Sequence, residues 1–117
     1  MDWLRASAAQ QGRAIMAGLL DPLDQTEAYL AAIRNHPDAR RIYARVSETR
    51  ARSEAVAAHD RAKLELRRGL LDGVAISWKD NIDSGGTVTE AGSKLLEGRV
   101  PRKDAIVLAR AARQGTI

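Results

Sequence analysis

Cysteine and phenylalanine are both absent from the 117 residues, and two Trp with two Tyr make up the whole aromatic complement. Without cysteine no disulfide framework and no thiolate metal site is possible, and a reducing compartment is compatible. With so few aromatics, a core has to be built from Ala, Leu, Ile and Val. Alanine buries little area, so such a core is shallow for the length of the chain. Platforms on which nucleic-acid bases could stack are equally scarce. Long apolar runs are missing too: the longest, Ala14 to Leu20, is broken by Gly18 and is far too short to span a bilayer. The opening Met1-Asp2-Trp3-Leu4 has neither the basic region nor the apolar stretch of a secretory signal. These absences make a cytoplasmic protein without a membrane partner the expectation.

What is present is ordinary for a soluble globular protein: 44% hydrophobic and 29% charged residues. The length suits one small domain. A net charge of +4 raises nucleic acid as a partner. The charges alternate in sign, however, with Glu48, Glu54, Asp60 and Glu65 set among Arg50, Arg52, Arg61 and Lys63. Mixed signs along a helix mark a solvated face, so no nucleic-acid partner is expected. His36 lies in the Asn-His-Pro break and His59 on a charged helix, and neither has the companions a metal site needs.

The pattern changes character at Gly69. Residues 1–68 read as a leading helical segment. Residues 3–18 suit a short amphipathic helix or a frayed terminus. Asp21 can cap a helix that has Pro22 in its first turn, and Asn35-His36-Pro37 stops it. Arg41 to Val46 alternates, which predicts a short strand. Ser47 or Thr49 can cap the next helix. There Ala51, Ala55, Ala58, Ala62 and Leu66 recur at helical spacing, with Gly69 as the stop. Residues 69–117 differ. Gly73 to Trp78 predicts a buried strand, residues 79–102 a glycine-rich loop, and Asp104 to Arg113 a last helix closed by Gly115. The expectation is an α/β chain forming a single incomplete domain.

Chemistry concentrates where that strand ends, at Lys79-Asp80-Asn81-Ile82-Asp83. Burying an ammonium is costly, so a lysine delivered by an apolar strand either meets a carboxylate or gives up its proton. In the second case it can serve as a general base. In the first it leaves the sheet and pairs with Asp80 or Asp83 in solvent. The residues alone leave both open. Gly85-Gly86 has no following Lys-Ser/Thr pair, so it is no phosphate cradle.

Residues 69–115 resemble the N-terminal signature of the amidase family. Gly69-Leu70-Leu71-Asp72-Gly73-Val74-Ala75 leads to Lys79-Asp80-Asn81; Gly86-Thr87-Val88-Thr89-Glu90-Ala91-Gly92-Ser93 follows; Asp104-Ala105-Ile106-Val107 opens a helix that Gln114-Gly115 closes. Order and spacing hold without a gap from Gly73 to Gly115. Residues 27–33 and 50–62 resemble the family's leading helices less specifically. Departures are Leu71 or Ala75 where proline is usual, Asp72 where histidine is usual and Gln114 where alanine is usual.

The resemblance implies the N-terminal part of the amidase-signature fold: leading helices, the first strands of a mixed sheet and a following helix. It implies a C–N hydrolase with a Ser–cis-Ser–Lys triad, no cofactor and no metal, acting on a small-molecule amide in the complete enzyme. Lys79 matches the catalytic lysine and would act as general base. Asp80, Asn81, Gly92 and Ser93 would shape the loop beside it. The nucleophile and cis-serine belong to a Gly/Ser-rich region with no match in residues 1–117, so this chain alone is expected to be inactive. It is also expected to self-associate through open sheet edges. A non-enzymatic interaction module and a small basic nucleic-acid binder are the alternatives.

Overall fold

The computed structural model describes residues 1–117, and its regular elements are all helical. In order they are a 3-10 turn at Trp3–Arg5, α1 (Ala8–Met16), α2 (Pro22–Asn35), α3 (Ala39–Ile42), α4 (Glu48–Lys63), a 3-10 turn at Lys94–Leu96 and α5 (Ile106–Arg113). The α/β expectation is therefore corrected: neither predicted strand forms. No helix is long and apolar enough to cross a membrane. The chain divides into two compact units, residues 1–75 with 114–117, and residues 76–113.

In the first unit, local chemistry explains each helix. Ser7 and Gln10 form a capping box at the start of α1, the Ser7 hydroxyl accepting from the Gln10 N–H and the Gln10 side chain accepting from the Ser7 N–H. Asp21 caps α2 by accepting from the Leu23 N–H at 2.9 Å, with Pro22 in the first turn. α2 packs on α4. Leu30 is buried on α2, and Ala55 and Ala58 are buried on α4, at 0% and 1% exposure. Two alanines three residues apart present one smooth strip and let the helices approach closely. A second cluster joins Ala14, Ile15, Leu20 and Val74, with Trp3 and Ala62 against it. Gln11 is buried, and its amide donates to the Trp3 and Ala6 carbonyls and the Tyr29 hydroxyl.

The alternating stretch Arg41 to Val46 does not extend into a strand. The Asp38 carbonyl collects the N–H groups of Arg41 and Ile42, and Tyr43 returns to Ala39, so Arg41 and Ile42 complete the single turn of α3 and residues 43–46 run on without regular structure. Alternation alone cannot hold a strand without a partner ladder. α4 stops earlier than Gly69, at Lys63: Leu64 bonds back to Asp60 and Glu65 takes a φ of +56°, ending the helix without glycine.

The Gly73 end of the other expected strand does find a partner. Gly73 N–H donates to Gly115 O at 2.8 Å, and Ile117 N–H donates to Val74 O at 3.0 Å. The two segments run parallel through these bonds. A regular parallel ladder would return the second bond to Gly73 instead, so the pair is slipped by one residue and no ladder propagates. What fixes this point is Asp72, 1% exposed. Arg61 grips its carboxylate with two hydrogen bonds (2.9 and 2.7 Å), and the Arg68 N–H adds a third at 2.8 Å. Burial pushes the carboxyl up, but the Arg61 hydrogen bonds, the Arg68 N–H and the charges of Arg61 and Arg67 together hold it below its usual value. Gly115 has a φ of +85°, and a Cβ there would run into the Asp72 carboxylate.

Candidate active site

Lys79 follows from a simple change of environment along one segment. Val74 is buried in the core cluster, Ile76 is 38% exposed, Trp78 is half-buried and Lys79 is exposed. The Lys79 carbonyl accepts from the Ile82 N–H at 3.0 Å, so the chain turns immediately after the lysine.

The two acids are engaged elsewhere. The Asp80 carbonyl accepts from the Ala91 N–H at 2.9 Å, and its Oδ1 lies 3.4 Å from the Glu90 N. Asp83 receives Arg99 in a fork, Nη1 to Oδ1 at 2.7 Å and Nη2 to Oδ2 at 2.9 Å. The Arg99 hydrogen bond, with its charge, holds the Asp83 carboxyl below the usual range, against a smaller desolvation effect. Arg99 is raised in turn, first by that hydrogen bond and then by the Asp83 charge. The Asp83 carbonyl accepts from the Ala105 N–H at 2.8 Å, just ahead of α5.

The glycine-rich loop is closed on itself. Asp104 lies two residues ahead of α5, and its carboxylate accepts from the Gly85 N–H at 2.7 Å. Gly86 N–H donates to Pro101 O, and Thr89 N–H to Arg99 O, both at 2.9 Å. Thr89 is buried, its hydroxyl donating to Thr87 O. The Glu90 carboxylate accepts from the Gly98 N–H at 2.7 Å. Glu90 to Ser93 is a tight turn closed by Ser93 N–H on Glu90 O at 2.9 Å, with Ala91 at φ +52° and Gly92 at φ +64°. Two central residues at positive φ are the pattern of a type I′ turn, where glycine is at ease.

Of the residues singled out from sequence, Asp80, Gly92 and Ser93 thus lie on one hydrogen-bonded loop system that starts at Lys79. Asn81 is exposed in the turn after the lysine, and Ser93 leads into the Lys94–Leu96 turn without capping it through its side chain. Arg99 and Ala91 escaped the sequence reading. Opposite charges sixteen residues apart carry no periodic signal, and an alanine gives no warning of a left-handed backbone.

Comparison with known proteins places this geometry in a family. The family model described as Amidase matches residues 24–117. The chain is similar to a glutamyl-tRNA(Gln) amidotransferase subunit from Anaeromyxobacter sp. (strain K), 35% identical over 113 residues, covering 97% of this chain and 23% of that protein. It is similar to the corresponding mitochondrial glutamyl-tRNA(Gln) amidotransferase subunit from Anopheles gambiae, 34% identical over 98 residues, covering 84% of this chain and 20% of that protein. The glutamyl-tRNA(Gln) amidotransferase subunit from Streptomyces coelicolor is 32% identical over 109 residues, covering 93% and 22%. The chain spans less than a quarter of the length of these curated relatives. With most of its length matched, including every residue from Lys79 to Ser93, the chain belongs to the amidase family.

Proposed function

We propose that residues 69–117 supply the lysine base of an enzyme that cleaves carboxylic amides at the C–N bond, through a Ser–cis-Ser–Lys triad. The observation that carries this reading is the ordered run Lys79-Asp80-Asn81, Gly86-Thr87 to Gly92-Ser93 and Asp104-Ala105 inside the family match. Neutral Lys79 accepts a proton from the cis-serine, which accepts one from the nucleophilic serine. The serine oxygen then attacks the amide carbonyl, and backbone N–H groups hold the oxyanion. Returning the proton to the departing nitrogen releases ammonia or amine, and water cleaves the acyl-enzyme to the acid.

Two features support the assignment of Lys79. Asp80 and Asp83 have hydrogen-bond partners of their own, which compete with the ammonium for the two carboxylates. The side chain stands exposed at the head of the turn that Ile82 closes, where a second polypeptide segment carrying the serines could reach it. Ser7, Ser47, Ser53, Ser77, Ser84 and Ser93 are the serines of the chain, and none matches the triad roles. The 117-residue chain alone therefore turns over no amide.

The test is a polypeptide in which residues 1–117 are continued by a family-type segment bearing both serines. Lys79→Met and Lys79→Arg should each lower kcat by about 100-fold or more, the range of a general base. Near-normal turnover by Lys79→Arg overturns the assignment, because a guanidinium stays protonated.

A further inference from the structure

Ala91 is the one residue of the loop held in a conformation its side chain resists. Its φ is +52°, next to Gly92 at +64°, although glycine or asparagine would occupy the same position without penalty. Residues kept in such a conformation persist where their surroundings hold them, and they gather at sites where geometry matters. Here the surroundings are identifiable. The Ala91 N–H donates at 2.9 Å to the carbonyl of Asp80, the residue bonded to Lys79. The adjacent Glu90 N–H faces the Asp80 carboxylate at the longer distance of 3.4 Å. On the other side, the Ser93 N–H closes the turn onto the Glu90 carbonyl, and the Glu90 carboxylate accepts from the Gly98 N–H.

We propose that Ala91 is a positioning residue for Lys79: the left-handed turn aims its N–H at the Asp80 carbonyl and so fixes the backbone at 79–82 from which the lysine projects. The proposal rests on Lys79 being the base, and it adds a group outside the signature positions. The tether is made of backbone atoms, which is why substitution of charged neighbours would not reveal it. It also ties the Lys79–Ile82 turn to the loop by a route separate from the Asp83–Arg99 fork and the Asp104–Gly85 contact. Loss of the tether should therefore loosen residues 79–82 while leaving those other anchors in place.

Amide hydrogen exchange on the 117-residue chain reads this directly, with no need for turnover. The reporter is the Ile82 N–H, which is bonded to Lys79 O; the references are Thr89 N–H on Arg99 O and Gly86 N–H on Pro101 O. Ala91→Gly keeps the donor and removes the strain, so Ile82 protection should rise about three- to tenfold with the references within twofold. Ala91→Pro removes the N–H and forbids the positive φ, so Ile82 protection should fall at least about tenfold with the references retained. Unchanged Ile82 protection in Ala91→Gly overturns the proposal, and this holds even if Ala91→Pro fails to fold. Equal loss at Ile82, Thr89 and Gly86 in a folded Ala91→Pro overturns it as well, since that is general loosening. These outcomes are independent of Lys79 chemistry: the tether can stand while Lys79→Arg retains activity, which would sink the base and leave the tether.

Discussion

Replacing Asp72 by asparagine removes one charge from the most enclosed polar cluster of the chain and almost no volume. Asp72 is 1% exposed, and Arg61 opposite it has a side-chain exposure of 18%. Three hydrogen bonds converge on the carboxylate: two from Arg61 and one from the Arg68 N–H. An asparagine amide can accept only at its single oxygen, and its NH2 then faces one of those donors. Breaking a buried charge pair at one partner costs about 3–5 kcal/mol, because the surviving charge stays desolvated. The partial exposure of Arg61 places Asp72→Asn at the low end, about 3 kcal/mol. For a chain of this size that lowers the melting midpoint by roughly 10–15 °C. Arg61→Met should cost at least as much, since it strands the more deeply buried partner. The double variant should recover at least about 2 kcal/mol relative to the sum. The pH dependence has a definite sign. The folded carboxyl is held below its usual value, so its contribution is present above the unfolded value near 3.8 and is lost as pH falls through the folded one. Asp72→Asn should lack that acid-side loss. Thermal and urea unfolding, followed by circular dichroism at pH 7 and down to pH 2, measures all of these. An Asp72→Asn protein within about 1 kcal/mol of the parent, with additive doubles and an unchanged acid limb, would refute the clamp.

Gly115→Ala should destabilise the chain by at least about 2 kcal/mol more than Gly18→Ala, read from melting midpoints. Both positions have positive φ and share the strain of about 1–2 kcal/mol, but only at Gly115 does the new methyl meet the Asp72 carboxylate. Purified residues 1–117 should give no saturable, Lys79-dependent release of ammonia or amine from aliphatic or aryl amides, because triad members act as a unit. In the polypeptide carrying both serines, Lys94→Met should stay near parental turnover where Lys79→Met does not. The open sheet edges expected to drive self-association do not form, but exposed apolar side chains such as Leu64 at 67%, Leu95 at 95% and Ile106 at 73% should still show association in sedimentation of the isolated chain across a range of concentrations. A strictly monomeric chain at high concentration would count against that expectation.

Helices were legible wherever the signal was local. Asp21-Pro22 announced α2, because a carboxylate that accepts from an N–H of the first turn and a ring with a preset φ act within one turn. The alanine stripe of α4 was legible for a similar reason: positions 51, 55, 58 and 62 repeat at the helical period, and Ala55 and Ala58 are the ones the fold buries. The Ser7–Gln10 capping box had the same local character, and Ser-x-x-Gln was available to be read. The ends were less legible. Gly69 reads as a stop, yet α4 ends before it, with Glu65 at positive φ and the Leu66 N–H bonded back to Arg61 O.

Strands failed for a reason that separates the two periods. A helix satisfies its hydrogen bonds within itself, whereas a strand is defined by a neighbour, so an alternating or apolar run is a strand only if a partner presents a matching edge. Residues 41–46 meet none: the first two end α3 and the rest stay irregular. Residues 73 and 74 meet the segment 115–117 and make two parallel bonds, but the one-residue slip stops the ladder there. The cause lies in what surrounds that point. Asp72 is locked to Arg61, and the absence of a side chain at Gly115 lets the backbones approach on the side of that carboxylate. The motif residues were legible as an ordered run that resembles a known signature, and Gly86 and Gly92 do sit at positive φ, where glycine is at ease. The unexpected participants, Arg99, Ala91 and the Asp104 carboxylate, act through contacts spanning eleven to nineteen residues, for which no period exists in the chain. On the proposed tether from Ala91 to the Asp80 carbonyl, a substitution that spares every signature residue displaces Lys79 by loosening the backbone that carries it.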